Sequence, residues 1–472
     1  MPGWVTNGAA QVARWAATPY GAVVGGAVAL QLAVLAAIRL RAADPTGGDL
    51  CRDAVALRRI VRGVNPYLPI SGCGTLYNLP HPPAYLLLIG PFALLPVAWG
   101  AALWDLGALG ALALALVLIA RELRLRVAPW LLALLLALLI LWPPLLNALL
   151  EAQVAPVLLL LFVLAWRAAR RGQSGRAGAW LGIATGIRLF PGLAVVYFLV
   201  RRDWRAVGMA AAACAISELL ALPLVGVDGY IAYITREAPS TNAEWLINPH
   251  NVSLWGLMGI LFAGSPGHPA VIAAAALARP AAQALTLALV GTLAAVTWLR
   301  RRHTFARDEA TWLAYLPAML LVSPLTWTHY FVFLLLPLIV LAARLGWLGA
   351  PPRRAAPGQR LAGWALGGAL ACIWINDVLA RLNMLHQWPA LFALLTLATP
   401  AYALLLLTGA ALALGGAALA LGGAALALGG AATARESRDP AGAGSAVPVD
   451  DAGDMLARPT GAWPGSAEGS SA

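Results

Sequence analysis

The feature that most constrains this chain is a succession of apolar runs, each of a length that could cross a bilayer. A helix needs about 20 residues to cross the hydrocarbon layer, and counting the runs predicts roughly ten to thirteen transmembrane helices. Hydrophobic residues make up 61% of the sequence, charged residues make up 11%, and the mean hydropathy is +0.77. The sequence therefore predicts an all-α fold, that of a polytopic helical integral membrane protein.

The positive charge of the chain fits the same setting. A formal net charge of +12 could indicate a nucleic-acid partner, but the arginines cluster at the ends of apolar runs. Cytoplasmic loops of membrane proteins carry this excess of basic residues. We therefore expect no nucleic acid, a multi-pass location in the cell membrane with the bilayer as partner, and polar loops such as 41–82 and 323–330 on the extracytoplasmic face.

The domain organisation follows from a change in composition near the C-terminus. Residues 1–432 are predicted to form the membrane domain. Residues 433–472 are rich in Gly, Ala, Ser and Pro, which predicts a disordered tail. Between Gly409 and Gly430 a GAALALG unit recurs, either as small-residue filling of a last helix or as a helix-packing face.

Charged residues inside apolar runs are costly and need an explanation. Among them, Arg188 follows Gly182 and Gly186 and precedes Pro191, an arrangement typical of a broken helix that lines a cavity. Its guanidinium could hold a phosphate with two hydrogen bonds. Alternatively, Arg188 extends to the membrane interface or pairs with Glu151 as a structural residue.

The cysteines and histidines show no metal-ligand spacing, and the chain lacks a P-loop. We therefore expect neither a metal nor a cofactor. Cys51 and Cys73 lie in the same outer loop, where an oxidising compartment would allow them to pair. Cys214 and Cys372 lie in apolar runs and are predicted to be small core residues.

Several short motifs occur in an order that resembles glycosyltransferase family 87. They are Asp49-Leu-Cys-Arg-Asp53, Arg62-Gly-Val-Asn-Pro-Tyr67, Tyr77, His81-Pro-Pro83, Gln153, Gly182 to Pro191, Asn251-Val-Ser253 and Ser323-Pro-Leu-Thr-Trp327-Thr-His329-Tyr330. The resemblance implies a multi-pass GT-C-like fold and an enzyme that takes a sugar from a polyprenyl phosphate. The chain departs from the family pattern at Arg188, where lysine is usual, at His81, where tyrosine is expected, and at Tyr330, which replaces a second histidine.

The chemistry of that reaction needs one carboxylate. A sugar on a lipid phosphate has a leaving group that is already anionic, so only a base for the acceptor hydroxyl is required. Asp49 in the first outer loop is the preferred base, Asp53 is its rival, and direct displacement would invert the anomeric centre. Alternatively, both acids cap a surface helix or pair with neighbouring arginines.

Cations and hydrogen-bond donors must stabilise the charge that develops on the phosphate. Arg188 and His329 are assigned to the donor phosphate, although His329 could instead belong to an aromatic belt at the interface. The sugar or the acceptor is expected to contact a further set of residues, whose aromatic members could equally be interface anchors: Tyr67, Tyr77, His81, Gln153, Asn251, Ser253 and Trp327.

The sequence therefore predicts a membrane mannosyltransferase that uses a polyprenyl-phosphate donor and extends a glycolipid or cell-envelope glycan on the extracytoplasmic face. Mannose rests on the family resemblance alone. A transporter or flippase of lipid-linked sugars is the alternative, since it would explain the broken helix without catalysis. The sequence leaves the oligomeric state open.

Overall fold

The computed structural model describes residues 18–41, 49–68, 79–125, 128–246, 248, 251–264, 269–348, 357–386 and 398–416. These residues form helices and loops, and no strand occurs among them. The all-α fold class is confirmed. The repeat after residue 416, the tail, Cys73 and Tyr77 lie outside the described residues.

The helices, numbered in chain order, are α1 (Pro19–Arg41), α2 (Asp49–Val61), α3 (Pro83–Ala93), α4 (Val97–Glu122), α5 (Pro129–Ile140), α6 (Pro143–Leu150), α7 (Ala155–Arg170), α8 (Ser174–Ile187), α9 (Gly192–Val200), α10 (Trp204–Ala232), α11 (Ala238–Trp245), α12 (Leu254–Phe262), α13 (Ala278–Leu299), α14 (Phe305–Val322), α15 (Leu335–Arg344), α16 (Pro357–His386) and α17 (Thr399–Gly416). A π-helix (Tyr233–Glu237) joins α10 to α11, and a 3₁₀ helix (Thr328–Leu334) precedes α15.

Four helical stretches in the described part of the chain are long and apolar enough to cross a membrane: Val97–Glu122, Trp204–Thr241, Ala275–Leu299 and Thr399–Gly416. The bent pair Pro129–Leu139 and Pro143–Leu150, which turns by 61°, would make a fifth. Shorter apolar helices accompany them. The membrane class holds, and the count of ten to thirteen spans stays a prediction.

Two long apolar runs are broken, and one of the breaks is the predicted one at Arg188. The run 84–120 divides into α3 and α4 at Leu94 to Pro96, and the run 177–200 divides into α8 and α9 with Arg188 at the break. Arg188 has an extended backbone, with φ −147° and ψ 137°. Pro191 follows three residues later and directly precedes Gly192, where α9 begins, a position at a helix start where proline is tolerated.

Residues 226–246 are largely helical. Gly226 has a positive φ of 70° inside α10, and the chain resumes helix beyond it. Pro223 and Gly226 thus bend the helix without ending it, because apolar residues continue on both sides. The π-helix that follows carries Tyr233.

Close packing of α8 against α10 fixes the position of Arg188. A Cβ at Gly178 or Gly182 would collide with the backbone carbonyls of Ala206 and Ala210. Only glycine permits this backbone approach, which is common where membrane helices pack. The glycine-punctuated half-helix is therefore a packing surface that delivers Arg188 to the end of α8.

An ion-pair network, called here the basal network, lies at the start of α14. Asp308 accepts hydrogen bonds from Tyr197 (2.9 Å), Arg201 (3.1 Å) and Thr311 (2.6 Å). Glu309 accepts from three further side chains, Trp166 (3.2 Å), Arg170 (3.0 Å) and Arg344 (2.9 Å). Both carboxylates are buried, and the arginines at several helix ends are tied together through them.

Candidate active site

A cavity of about 760 Å³ lies at the other end of α14, where Met319, Val322 and Ser323 form part of its wall. Its polar lining comes from helix ends and loops that are far apart in the sequence. These residues are Asp49, Arg52, His81, Glu151, Gln153, Arg188, Tyr233, Thr241, Trp245, Ser323, Trp327, His329 and Tyr330. The structure thus brings together residues from most of the motifs that suggested the family.

Asp49 occupies the first turn of α2 and is mostly buried. One carboxylate oxygen accepts a hydrogen bond from Nε2 of Gln153, and the other contacts the guanidinium of Arg52 one turn along the helix. An acid in the first turn of a helix is also favoured by the helix dipole. Asp49 is therefore an oriented carboxylate at the cavity wall.

Gln153 joins Asp49 to Arg188. While its amide nitrogen donates to Asp49, its Oε1 accepts from Nη2 of Arg188 at 3.2 Å. The guanidinium lies 5.5 Å from the ring of Tyr85 and 5.6 Å from the ring of Tyr330, and its Nε has no partner. A single amide thus fixes the distance between the acid and the cation.

Asp53 lies one helical turn beyond Asp49, behind the cavity wall. It is fully buried, and Tyr85 donates to its Oδ2 at 2.9 Å. Its Oδ1 lies 3.8 Å from Nε2 of His81 and has no hydrogen-bond partner. Burial raises the pKa of Asp53 to about 7, against the lowering effects of the Tyr85 hydrogen bond and of the Arg52 and Arg188 charges.

His81 stands between Asp53 and the cavity, which it lines. Burial, and then the charges of Arg188 and Arg52, hold the pKa of His81 well below its usual range. Its ring lies 4.1 Å from the ring of Tyr85, and its Nδ1 has no partner. A neutral imidazole in this place can donate or accept one hydrogen bond from the cavity.

His329 begins the 3₁₀ helix and lines the cavity beside Tyr330, with 4.5 Å between the ring centres. Its Nε2 is buried and has no partner. Trp327 packs edge-on against Trp245 at 5.3 Å, and both rings line the cavity. The imidazole and the indoles thus form the wall opposite α2.

Asn251 and Ser253 organise a loop and do not line the cavity, and their contact with the sugar or acceptor stays a prediction. Nδ2 of Asn251 donates to the carbonyl of Pro324 at 2.9 Å, and its Oδ1 accepts from Oγ of Ser253 at 2.8 Å and from the backbone N–H of Thr326 at 3.1 Å. Ser253 caps α12 by accepting from Gly256 at 3.2 Å. Because these polar atoms are bonded within the protein, the pair fixes the 323–330 segment.

Tyr67 likewise lies behind the cavity. Its hydroxyl donates to the carbonyl of His81 at 2.9 Å, and its ring packs 5.2 Å from that of Tyr233. It is 2% exposed and supports His81 and Tyr233, and its contact with a sugar stays a prediction. Tyr77, predicted for the same role, lies outside the described residues.

Sequence reasoning missed three residues of this region: Tyr85, Tyr233 and Thr241. Tyr85 follows the His81-Pro-Pro83 motif by two residues and is the hydroxyl that contacts Asp53. Tyr233 lies in the π-helix and Thr241 in α11, and both line the cavity. Single-turn π-helices are frequent at functional sites, but the sequence gives no pattern for them.

Glu218 and the described cysteines do not line the cavity. Glu218 accepts from the N–H of Ala84 at 3.3 Å and from Tyr230 at 2.8 Å, so it holds the start of α3. Cys51 is disulfide-bonded, whereas Cys214 and Cys372 are free. In the described part of the chain, no group of three His, Cys, Asp or Glu side chains could hold a metal ion.

Comparison with known proteins identifies the family. The sequence model of glycosyltransferase family 87 matches residues 79–324, more than half of the chain. The chain is 30% identical over 174 residues to the polyprenol-phosphate-mannose-dependent alpha-(1-2)-phosphatidylinositol mannoside mannosyltransferase of Mycobacterium tuberculosis, covering 36% of this chain and 37% of that protein.

A second relative is the polyprenol-phosphate-mannose-dependent alpha-(1-2)-phosphatidylinositol pentamannoside mannosyltransferase of Mycolicibacterium smegmatis. It is 28% identical over 288 residues, which cover 60% of this chain and 64% of the relative. The chain thus matches less than two thirds of the length of either relative. The crystal structure of ArnT from Cupriavidus metallidurans bound to undecaprenyl phosphate covers 84% of this chain and 78% of its own, at 16% identity and a TM-score of 0.32. On the family match over residues 79–324, this chain belongs to glycosyltransferase family 87.

Proposed function

We propose that the protein is a membrane mannosyltransferase that takes mannose from a polyprenyl-phosphate carrier and adds it to a glycolipid or cell-envelope glycan. The observation that carries this proposal is the chain of contacts from Asp49 through Gln153 to Arg188 at the cavity wall. It provides a carboxylate base and a cation for a phosphate, held at a fixed separation. The mycobacterial relatives, which are named for polyprenol-phosphate-mannose, support the choice of donor.

In the reaction, Asp49 accepts the proton of the acceptor hydroxyl as that oxygen bonds to the anomeric carbon. The bond from the anomeric carbon to the phosphate oxygen breaks, and its electron pair leaves with the phosphate. The polyprenyl phosphate departs as an anion, so no acid is needed to protonate it. Attack and departure on opposite sides invert the anomeric centre.

Arg188 and His329 hold the phosphate. Nε of Arg188 and Nε2 of His329 are buried, belong to cavity-lining residues and lack protein partners. Buried polar groups are nearly always hydrogen-bonded, so these two atoms are suited to a ligand oxygen. A guanidinium kept in place before the reaction stabilises developing charge without reorganisation.

Asp53 supports the site without acting as the base. It lies behind His81 and Tyr85 and does not line the cavity, whereas Asp49 does. Asp53 holds the Tyr85 hydroxyl by a hydrogen bond, and Tyr85 packs against the ring of His81, which is positioned to bind the sugar or acceptor. Asp49 is therefore the base and Asp53 a positioning residue.

The active site faces the extracytoplasmic side. Along α14, the cavity end and the basal network are separated by about 20 Å of helix rise. The basal network gathers Arg170, Arg201, Arg300 and Arg344, and basic residues concentrate on the cytoplasmic side of membranes. The cavity then lies near the opposite surface, where a lipid-linked sugar and a glycan acceptor can meet.

The test is transfer of radiolabelled mannose from synthetic polyprenyl-phosphate-mannose to a membrane glycolipid extract, with the purified full chain. Asp49→Asn should abolish transfer, while Asp53→Asn retains measurable transfer. Glu122→Gln is the matched control, because Glu122 pairs with Arg167 and Arg171 away from the cavity and should leave transfer unchanged.

Each result has a distinct meaning. Loss of transfer in Asp53→Asn but not in Asp49→Asn, with both variants folded, would exchange the two roles. If the wild type transfers no mannose but moves the lipid-linked donor across vesicles, the transporter alternative replaces the enzyme.

A further inference from the structure

A second cavity, of about 700 Å³, lies between α1, α4 and α5 and shares no lining residue with the first. Leucine, valine and alanine side chains form almost all of its wall. The polar exceptions are Tyr20, Gln31, Arg121 and Arg124. We call this space the lipid groove.

The two arginines mark one end of the lipid groove. Arg121 lies in the last turn of α4, Arg124 lies just beyond it, and both are exposed. Among the described residues, neither guanidinium has a hydrogen bond or an ion pair, whereas the intervening Glu122 pairs with Arg167 and Arg171. Two uncompensated cations thus stand at the mouth of an apolar space.

Gln31 is the polar residue on the inner wall. It is 1% exposed, and both its Nε2 and its Oε1 lack a hydrogen-bond partner. Leaving a buried amide unbonded is costly, so Gln31 lowers the stability of the fold. Side chains on a helix lean toward its N-terminus, and the amide of Gln31 therefore leans along α1 toward Tyr20.

The dimensions of the lipid groove fit a single leaflet. Tyr20 and Gln31 are separated by about 16 Å of helix rise, close to half of the roughly 30 Å hydrocarbon layer. Tyr20 lines the groove at the start of α1, and the arginines line it at the end of α4. An occupant must therefore be anionic at one end and apolar along the length of one leaflet.

We propose that the lipid groove is a binding site for an anionic glycerophospholipid. Arg121 and Arg124 bind its phosphate, and one acyl chain lies along the leucines toward Gln31. A zwitterionic lipid binds more weakly because its own cation competes for the phosphate. The site is separate from the proposed mannosyltransferase site and does not depend on that activity.

Native mass spectrometry of the delipidated full chain tests the proposal, with phosphatidylglycerol and phosphatidylcholine of identical acyl chains. The wild type should retain phosphatidylglycerol at least ten-fold more tightly. The double variant Arg121→Gln/Arg124→Gln should lose this preference. Arg301→Gln/Arg302→Gln is the charge-matched control, since neither residue lines the lipid groove, and it should keep the preference.

A third variant tests the role of the amide. Gln31→Leu should keep the preference for phosphatidylglycerol, because the amide lies along the acyl chain and away from the phosphate. It should raise thermal stability by removing an unbonded polar group. Equal retention of the two lipids by the wild type would overturn the proposal, as would an equal loss in the charge-matched control. Binding of polyprenyl phosphate but not of phosphatidylglycerol would also overturn it.

Discussion

Buried polar groups cluster near both ends of α14, but they differ in whether their hydrogen-bonding atoms have partners. In the basal network, all four carboxylate oxygens of Asp308 and Glu309 accept hydrogen bonds. At the cavity, Asp53 Oδ1, His81 Nδ1, Arg188 Nε and His329 Nε2 accept or donate none. A network whose polar atoms are all hydrogen-bonded stabilises the fold. A network with unbonded polar atoms is suited to bind a ligand.

The largest effect is expected at the cavity. Arg188→Gln removes the cation beside Gln153 and should lower mannose transfer by about 10²- to 10³-fold, the range typical for loss of a group that stabilises transition-state charge. Thermal stability should change little, because Arg188 has a single protein hydrogen bond. Transfer kinetics and thermal unfolding in detergent are the measurements.

The same arginine-to-glutamine change at Arg344 should affect stability and spare transfer, the opposite of the result expected at Arg188. Arg344 belongs to the basal network, so unfolding should occur at a lower temperature while transfer below that temperature is retained. If Arg188→Gln destabilised the fold as much as Arg344→Gln and left transfer intact, the contrast between the two ends would be lost.

The second effect is at the basal network. Glu309→Gln leaves Arg170 and Arg344 without their carboxylate and should lower the free energy of unfolding by about 3 kcal/mol, as expected when one partner of a buried ion pair is removed. Transfer measured well below the melting temperature should stay within two-fold of wild type. A loss of transfer without loss of stability would instead connect the network to catalysis.

The third effect concerns Asp53 and pH. Its pKa is raised from a usual value of about 3.9 to about 7. The folded state then binds more protons than the unfolded state between these values, so stability is present at low pH and is lost as pH rises toward 7. One pKa unit corresponds to about 1.4 kcal/mol, and we expect at least this loss in the wild type between pH 5 and 7.

Asp53→Asn checks that assignment. The variant cannot titrate at this position, so its unfolding temperature should fall less than that of the wild type over the same window. Asp203→Asn is the control, because Asp203 caps α10 away from the cavity. Identical pH profiles in the wild type and Asp53→Asn would contradict the raised pKa.

The parts of the fold that the sequence revealed are those set by local physics. Apolar runs predict the helices, and Pro191 with Arg188 predicts the break between α8 and α9. The order of motifs also predicted which segments meet, since Asp49, Gln153, Arg188 and His329 line one cavity. Spacing alone could not show that Gln153 bridges an acid and a cation, because that contact joins segments distant in sequence.

Three residues show what the sequence could not reveal. Asn251, Ser253 and Tyr67 were assigned to a ligand because polar and aromatic residues near a span suggest contact with one. Their partners are backbone carbonyls and N–H groups of other segments, such as those of Pro324 and His81. Backbone groups leave no trace in a sequence, so a residue that bonds them cannot be told from one that binds a sugar.

The smallest predicted effect tests whether Ser253 supports the loop or contacts the substrate. Ser253→Ala removes the side chain that caps α12 and bonds Asn251, and loss of a helix N-cap costs about 1 kcal/mol. We therefore expect a small decrease in thermal stability and a KM for the acceptor within two-fold of wild type. Ser323→Ala is the matched control, because Ser323 lines the cavity and its hydroxyl bonds within its own loop. A several-fold rise in KM with unchanged stability in Ser253→Ala would place the residue against the substrate. The wall of the cavity would then extend beyond the 323–330 segment to α12.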